Sequence, residues 1–275
     1  MSATSNAAPE KVDPNKEHFL NPRPAVGHYE LPCGWIAEDG TLHKDIIVRE
    51  MTGVEEELLA GRGEPLFRMN KVMANCLQQI GPKDDSSGNV KIVNDLTVID
   101  RYFLLVALRR SSMGDDYTVE SACPQCSVRD KFTVDLSTLG AVEMENPSER
   151  IHTGTTPSGM DYTFHVMTGN DEVWLAKAKS KLKGEGMLTL NMLCRVDEIS
   201  GQRVERDVNK RREFMQSVAF MGRLGMRDRM SIRNRIQVAE GDLDMSLEFE
   251  CKSCGNPWKA SLDVTDPGFF FPSEI

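Results

Sequence analysis

Two Cys-x-x-Cys pairs constrain this chain more than any other feature, because each pair can present two thiolates to one metal ion. The first pair is Cys123 and Cys126, and the second pair is Cys251 and Cys254. Two such turns complete a tetrahedral site of four thiolates, which is the usual closed geometry of structural zinc. The spacing therefore predicts one zinc ion that is bound by all four cysteines and links distant parts of the chain.

Three alternatives to zinc remain open at these cysteines. They are iron in a rubredoxin-like site that transfers electrons, a redox-active disulfide within each pair, and four unligated thiols. Rubredoxin-like sites are typical of small domains that expose one edge of the metal. Here the two pairs lie far apart in a long chain, so zinc is the preferred interpretation and iron the minor one.

Apolar and polar residues alternate on both sides of each cysteine pair, which is the pattern of a β-strand with one buried face. The alternating stretches are residues 117–121, 132–136, 243–249 and 258–262. Each cysteine pair is therefore predicted to lie in a turn between two strands.

Four short motifs recur in the same order in the two halves of the chain. They are Pro-x-Gly at 32–34 and 157–159, Met-Thr-Gly at 51–53 and 167–169, Ser-Gly at 87–88 and 200–201, and Leu-x-x-x-Asp-Arg at 96–101 and 224–229. The order predicts an internal duplication. The predicted fold class is α+β, with two tandem pseudo-repeats of hairpin, helices and strand–cysteine turn–strand that share one zinc-ribbon-like site.

Helix start signals place the helices of the first repeat. Thr52 and Glu55 form a capping box, and Pro65 marks a second start. The apolar stripe of this second helix is predicted to run to Ile80. Thr97 is predicted to cap a third helix, whose first turn contains an acidic residue.

The predicted organisation has five parts. They are a flexible N-terminal arm at 1–27, a first repeat at 28–140, a linker at 141–155, a second repeat at 156–268 and a C-terminal tail at 269–275. The arm contains several prolines and few large apolar groups, so it cannot offset its ordering entropy by burial. The Phe-Phe-Phe stretch at 269–271 has two open interpretations, an exposed interaction hook or a segment tucked into the core.

Composition excludes several classes of protein. The formal net charge of −9 argues against a generic nucleic-acid coat, and the 40% hydrophobic content is enough for a real core. Neither a membrane span nor a hydrophobic signal segment is present in the sequence, so synthesis in the cytosol is expected. The other three cysteines, Cys33, Cys76 and Cys194, are scattered, which suits a reducing compartment.

The remaining polar motifs predict no catalytic site. The aspartates of Asp100-Arg101 and Asp228-Arg229 are expected to meet free amides at helix starts. The five histidines show no metal spacing and are expected on the surface or in turns; they are His18, His28, His43, His152 and His165. A basic run at 210–235 is interpreted as a solvated helix face, with a docking patch for an acidic protein as its functional alternative.

Three segments of the sequence resemble a known family. They are "MTGVEEELLA", "LTVIDRYFLLVALR" and "YTVESACPQCSVRDKFTVDL", and they resemble baseplate proteins of contractile-tailed bacteriophages, specifically the family of the T-even baseplate hub assembly protein. The resemblance covers roughly residues 29–267. It implies a non-enzymatic structural or assembly component of the tail baseplate, made in the bacterial host cytoplasm and located in the virion. The four cysteines carry over as the metal ligands.

The resemblance also implies the class of partner, namely other baseplate, hub or tail-tube proteins, without nucleic acid, membrane or small-molecule substrate. The competing hypothesis is an intracellular zinc-ribbon regulator or nucleic-acid-binding module, which would need a basic face around the cysteines. Acidic residues lie there instead: Glu120, Asp130, Asp135, Glu248 and Glu250. An electron carrier of the rubredoxin type is the third and least favoured hypothesis.

Overall fold

The computed structural model describes residues 25–81, 89–142, 144, 146–182 and 186–271. Most of the predicted arm, the Ser-Gly motif at 87–88 and the polar stretch around it lie outside these residues. The first strand begins at Val26, so the sheet starts inside the segment that was predicted to be the arm.

In the first half, the described residues form a three-stranded antiparallel sheet with strand order β1-β2-β3 and four helices. Its elements are β1 (Val26–Ile36), β2 (Leu42–Arg49), α1 (Gly53–Ala60), α2 (Pro65–Cys76), β3 (Leu77–Ile80), α3 (Val90–Asp95) and α4 (Val98–Met113). A hairpin of β4 (Asp116–Ala122) and β5 (Arg129–Asp135) follows, and then a short 3-10 turn (Leu136–Thr138). The helix starts predicted at Thr52, Pro65 and Thr97 are all present.

The second half contains a four-stranded sheet with strand order β10-β9-β8-β7. Its elements are β6 (Ala141–Val142), β7 (Ile151–Thr155), β8 (Asp161–His165), α5 (Gly169–Lys181), α6 (Met187–Leu193), β9 (Val196–Ile199), β10 (Gln202–Arg203), α7 (Arg211–Arg223), α8 (Met226–Glu240), β11 (Asp242–Leu243), β12 (Ser246–Glu250), β13 (Pro257–Ser261) and a 3-10 turn (Pro267–Phe269). The α+β class is confirmed.

The prediction that the second helix runs to Ile80 is wrong. The helix ends at Cys76, and the next four residues form β3, in which Leu77 pairs with Val48 and Ile80 with Ile46. A short apolar run fits either periodicity, so its structure is decided by what it packs against. Here β2 offers an open edge, and the ladder hydrogen bonds of β3 satisfy the backbone groups of both strands.

The segment predicted as a linker, residues 141–155, also contains regular structure. Strand β7 pairs with β8 from Ile151 opposite His165 to Thr155 opposite Asp161, and β6 pairs with β11. The sequence of β7 does not alternate clearly between apolar and polar residues. Its one large aliphatic residue is Ile151, whose side chain is exposed. Strands β6 and β7, which pair with strands of the second half, therefore precede residue 156.

The C-terminal segment packs on the first half. Phe269 and Phe270 are each 1% exposed and belong to the same hydrophobic cluster as Leu104 of α4 and Phe249 of β12. The hook interpretation is therefore wrong for these two rings, whereas Phe271 keeps 38% of its surface exposed. A second cluster fills the second half between its sheet and its helices.

The two halves meet where two helices begin. Thr97, the N-cap of α4, forms an antiparallel bridge with Thr168, the N-cap of α5. The Gly169 amide donates to the Leu96 carbonyl at 3.1 Å on one side of this bridge. On the other side, the Arg101 guanidinium reaches Glu172 at 2.8 Å.

The recurring Asp-Arg motif makes the same contacts in both halves. Asp100 accepts hydrogen bonds from the amides of Cys33 (2.7 Å) and Gly34 (3.1 Å), and Asp228 accepts one from the amide of Ser158 (3.0 Å). These three donors lie in the two Pro-x-Gly motifs. Both carboxylates meet amides as expected, but these amides come from a distant hairpin, and at the helix start the Asp100 carboxylate accepts from the Thr97 hydroxyl instead.

The arginine of the motif repeats its contact too. Arg101 donates to the carbonyl of Val93, and Arg229 donates to the carbonyl of Met221, which lies at the same distance along the chain. Each pairing of β2 with β3 and of β8 with β9 contains one irregularity at the same place. The internal duplication stays a prediction, which these matched contacts support.

Candidate metal centre

Each cysteine pair lies in the turn of a two-stranded antiparallel hairpin, as the alternation predicted. We call β4, β5 and the turn between them the first knuckle, and β12, β13 and their turn the second knuckle. In both hairpins the first cysteine follows directly after the first strand and the second lies within the turn.

The turn of the first knuckle folds back on its first cysteine. The Cys123 amide donates to the Val128 carbonyl at 2.9 Å, and the Ser127 amide donates to the Cys123 carbonyl at 2.9 Å. The Gln125 amide lies 3.4 Å from the Cys123 sulfur. Ser127 has φ 60°, a left-handed conformation that most side chains avoid.

The second knuckle repeats this turn. The Cys251 amide donates to the Asn256 carbonyl at 3.0 Å, and the Gly255 amide donates to the Cys251 carbonyl at 2.8 Å. Gly255 has φ 69° and occupies the position that Ser127 holds in the first turn. The glycine is explained by this conformation, which only glycine adopts without steric cost.

The knuckles bring the four predicted site cysteines together. Cys123 Sγ lies 3.7 Å from Cys254 Sγ, and Cys126 Sγ lies 3.6 Å from Cys251 Sγ. All four sulfur atoms lie within 4.8 Å of one another, and none belongs to a disulfide. These two separations each join one knuckle to the other.

These distances fit a tetrahedral metal ion. Four thiolates at about 2.3 Å from one centre lie about 3.8 Å apart, close to the two separations across the knuckles. Four such ligands leave no open coordination position, so a metal held here would stabilise the fold and would not activate water. Cys123 and Cys251 are buried, whereas Cys126 and Cys254 face outward.

The acidities of the thiols reflect their crowding. Desolvation raises the pKa of Cys123, but hydrogen bonds from the backbone amides of Cys126 and Gln125 outweigh it and lower the pKa to about 7. The Asn256 amide lowers the pKa of Cys254, yet desolvation and the neighbouring thiols raise it to about 12. Thiolates this close repel one another, so all four ionise together only around a cation.

A cluster of three aromatic rings packs the first knuckle against the second. The Phe132 ring lies 4.5 Å from the Phe249 ring and 5.5 Å from the Trp258 ring, centre to centre. The three rings come from both knuckles, so the same contact that packs the aromatic residues also positions the cysteines. This burial adds to whatever free energy a metal contributes.

Acidic groups surround the outer face of the knuckles. Lys252 of the second turn reaches Asp130 of the first knuckle at 3.1 Å, which links the two hairpins. Elsewhere the basic side chains are paired on their own hairpin, Arg129 with Glu120 and Lys259 with Glu248. The outer face therefore lacks the unpaired basic residues that nucleic-acid binding would need.

The expectation of surface or turn positions is wrong for His152 and His165, which lie in strands with side chains 11% and 19% exposed. His165 has two carboxylate partners. It lies in β8, half-buried, with Nδ1 3.0 Å from Asp197 and Nε2 3.2 Å from Asp171. Burial lowers its pKa, but the two carboxylates outweigh burial and raise the pKa to about 9. Burial in turn raises the pKa of each carboxyl, and His165 lowers both below the usual range. Asp171 also closes the capping box of α5.

The His165→Gln variant should be less stable than the wild type, by an amount that depends on pH. Protonated His165 stabilises the folded state fully when the pH is below about 6.5, the pKa of histidine in the unfolded chain. This stabilisation is lost as the pH rises through about 9, the pKa of His165 in the folded protein. We expect a loss of about 1–2 kcal/mol at about pH 6 that shrinks towards about pH 10. Urea unfolding across this range measures it, with His28→Gln as an exposed control. A deficit that did not change with pH would contradict the ionic role.

Comparison with known proteins identifies a family. A family model described as T4 bacteriophage base plate protein matches residues 40–272. No curated protein and no solved structure matches the chain. The matched region contains both knuckles and all four cysteines.

Within the described residues, no helix has the length and apolar content needed to cross a membrane.

Proposed function

The chain belongs to the T4 bacteriophage base plate protein family, and from this premise we propose a non-enzymatic role in building or completing the tail baseplate. The observation that carries the proposal is the family match over most of the chain. Its partners are other proteins of the baseplate, and we propose the hub and the tail tube as the neighbouring structures. Synthesis in the host cytoplasm precedes incorporation into the virion tail.

We propose further that Cys123, Cys126, Cys251 and Cys254 bind one structural zinc ion per chain. The support is the distances between the sulfur atoms and the matching turns that present them. The metal would hold the second knuckle against the first, and with it the C-terminal segment that covers α4. Iron is the minor alternative. Four thiolates also bind iron in rubredoxin-like sites, which transfer electrons.

The buried ionisable groups support a structural role rather than catalysis. Glu55 caps α1 and pairs with Arg49, Asp100 accepts amides of the neighbouring hairpin, and Arg101 joins the halves. Each of these groups is occupied in holding elements together. A regulator or nucleic-acid-binding module is the second hypothesis, and the acidic surroundings of the knuckles weigh against it.

Mass spectrometry of purified virions and of isolated baseplates tests the role in the tail. We expect the chain in baseplates, and a phage that lacks it should accumulate incomplete tails. Presence in baseplate intermediates but not in virions would assign it to assembly. Absence from both, together with normal tails in the phage that lacks it, would contradict the proposal.

A further inference from the structure

The contact between the halves pairs two different helix starts. Thr97 at the start of α4 bridges Thr168 at the start of α5, and the Arg101 Nε–H donates to Glu172. Because the two surfaces differ, the contact is heterologous, and each half retains the surface that it does not use. The recurring motifs identify these unused surfaces.

In the second half the counterpart of α4 is α8, and in the first half the counterpart of α5 is α1. The motif positions match Arg101 with Arg229, Thr168 with Thr52, and Glu172 with Glu56. We call the first two turns of α8 the α8 surface and residues 51–57 the α1 surface. The bridge and hydrogen bonds named above between the halves involve neither surface.

Both surfaces expose large apolar side chains to solvent. On the α8 surface, Met226 is 68% exposed and Met230 is 50% exposed. On the α1 surface, Val54 is 64% exposed. At the junction of the halves, Tyr102, the counterpart of Met230, packs against residues of the second half. Adjacent exposed apolar groups are typical of a surface that another protein covers.

Arg229 repeats Arg101 except for one hydrogen bond. Arg101 donates through Nε to Glu172 of the other half. Arg229 is held within its own half, donating through its two terminal nitrogens to the Met221 carbonyl and the Thr189 hydroxyl. Among the residues that the structure describes, its Nε–H has no acceptor. Within the part of the chain that the structure describes, the Arg229 Nε–H is therefore free at the position where, in the first half, the Arg101 Nε–H joins the two halves.

The charges of the two surfaces are complementary. Glu56 and Glu57 are exposed on the α1 surface, and Arg223 and Arg227 are exposed beside and on the α8 surface. Opposite charges on facing surfaces steer association and fix its register. The same sign relation holds at the junction of the halves, where the arginine comes from α4 and the glutamate from α5.

We propose that a second copy of this chain docks head-to-tail, with its α1 surface on the α8 surface of the first copy. The partner's Glu56 then accepts the Arg229 Nε–H, as Glu172 accepts that of Arg101, and Val54 packs against Met226 and Met230. Such a contact repeats, so it closes into a ring or continues as a filament. This self-association is separate from the proposed baseplate role and can be tested without phage.

Sedimentation of the purified full-length chain tests the charges of the contact. Glu56→Arg and Arg227→Glu should each weaken self-association at least about tenfold, because like charges then face each other. An equimolar mixture of the two variants should restore association, since the changed surface of one fits the changed surface of the other. Glu198→Arg and Lys71→Glu are the matched controls, because they make the same charge changes at exposed positions elsewhere.

A photo-crosslinking side chain at Met226 identifies what covers the α8 surface. We expect adducts with residues 51–57 of a second copy, and none from Val238, which is 72% exposed at the far end of the same helix. Three results would each overturn the proposal. They are a monomer at all concentrations up to about 100 μM, charge variants that associate like the wild type, and adducts from Met226 that fall outside residues 51–57.

Discussion

Replacing Cys251 by alanine is expected to abolish metal binding and to lower the thermal midpoint by about 10 °C or more. Structural zinc contributes about 10 kcal/mol to the folding of small domains. In this protein the loss should be smaller than that value, because the aromatic rings of the two knuckles still pack against each other without the metal. We therefore expect a loss of at least about 4 kcal/mol, which corresponds to the stated fall in midpoint for a chain of this size.

Metal analysis and calorimetry of the same preparations measure this effect. Cys126→Ala should behave like Cys251→Ala, although Cys126 is exposed and buries little surface, because three thiolates do not complete the site. The matched control is Cys76→Ala, which removes a buried sulfur of the first half outside the four. It should keep the full metal content and lose only about 1–2 kcal/mol. Equal metal content in all three variants would contradict the assignment.

The identity of the metal is settled by the same preparations. Zinc gives a colourless protein, whereas iron bound by four thiolates absorbs visible light. A chelator strong enough to remove zinc should reproduce the effect of Cys251→Ala, and adding zinc back should restore the midpoint. A wild-type chain that contains neither metal when freshly purified would leave the four thiols unligated and refute the proposed site.

The clustering of the four cysteines was the feature of the molecule most fully predictable from the sequence. A Cys-x-x-Cys pair constrains the backbone within a few residues, so its turn is a local property. Two matching turns in one chain predict that the four thiols lie together in one site. Cys123 and Cys254 lie far apart in sequence, yet their sulfurs are 3.7 Å apart. The sequence did not reveal the left-handed Ser127, because a serine carries no signal for that conformation.

The helix starts were equally local and equally predictable. Thr52 and Glu55 form the expected capping box, and Thr97 caps α4 through the Asp100 amide. The errors arose where distant partners decide the structure. Residues 77–80 become a strand because β2 is beside them, and His165 is half-buried because Asp171 and Asp197 converge on it from α5 and β9. No periodicity in the sequence contains that information.

Replacing Arg101 by methionine is expected to destabilise the protein by about 3–5 kcal/mol, the usual cost of removing one partner from a buried ion pair. The side chain of Arg101 is 3% exposed and that of Glu172 is 16% exposed. Arg101 also donates to the Asn70 side chain at 2.6 Å and to the Val93 carbonyl at 3.0 Å. Methionine fills the space, but it leaves the carboxylate and both other acceptors without this donor.

The matched variant Arg229→Met separates this link from the helix contact that both arginines make. Within a single chain, Arg229 is half-exposed and makes bonds to the second half alone, so Arg229→Met should cost the monomer about 1–2 kcal/mol. Adding Glu172→Gln to Arg101→Met should cost little more, because the unpaired charge is then gone, and the double-mutant cycle gives the coupling between the halves. If Arg101→Met cost no more than Arg229→Met in chemical unfolding, the buried pair would not be what holds the two halves together.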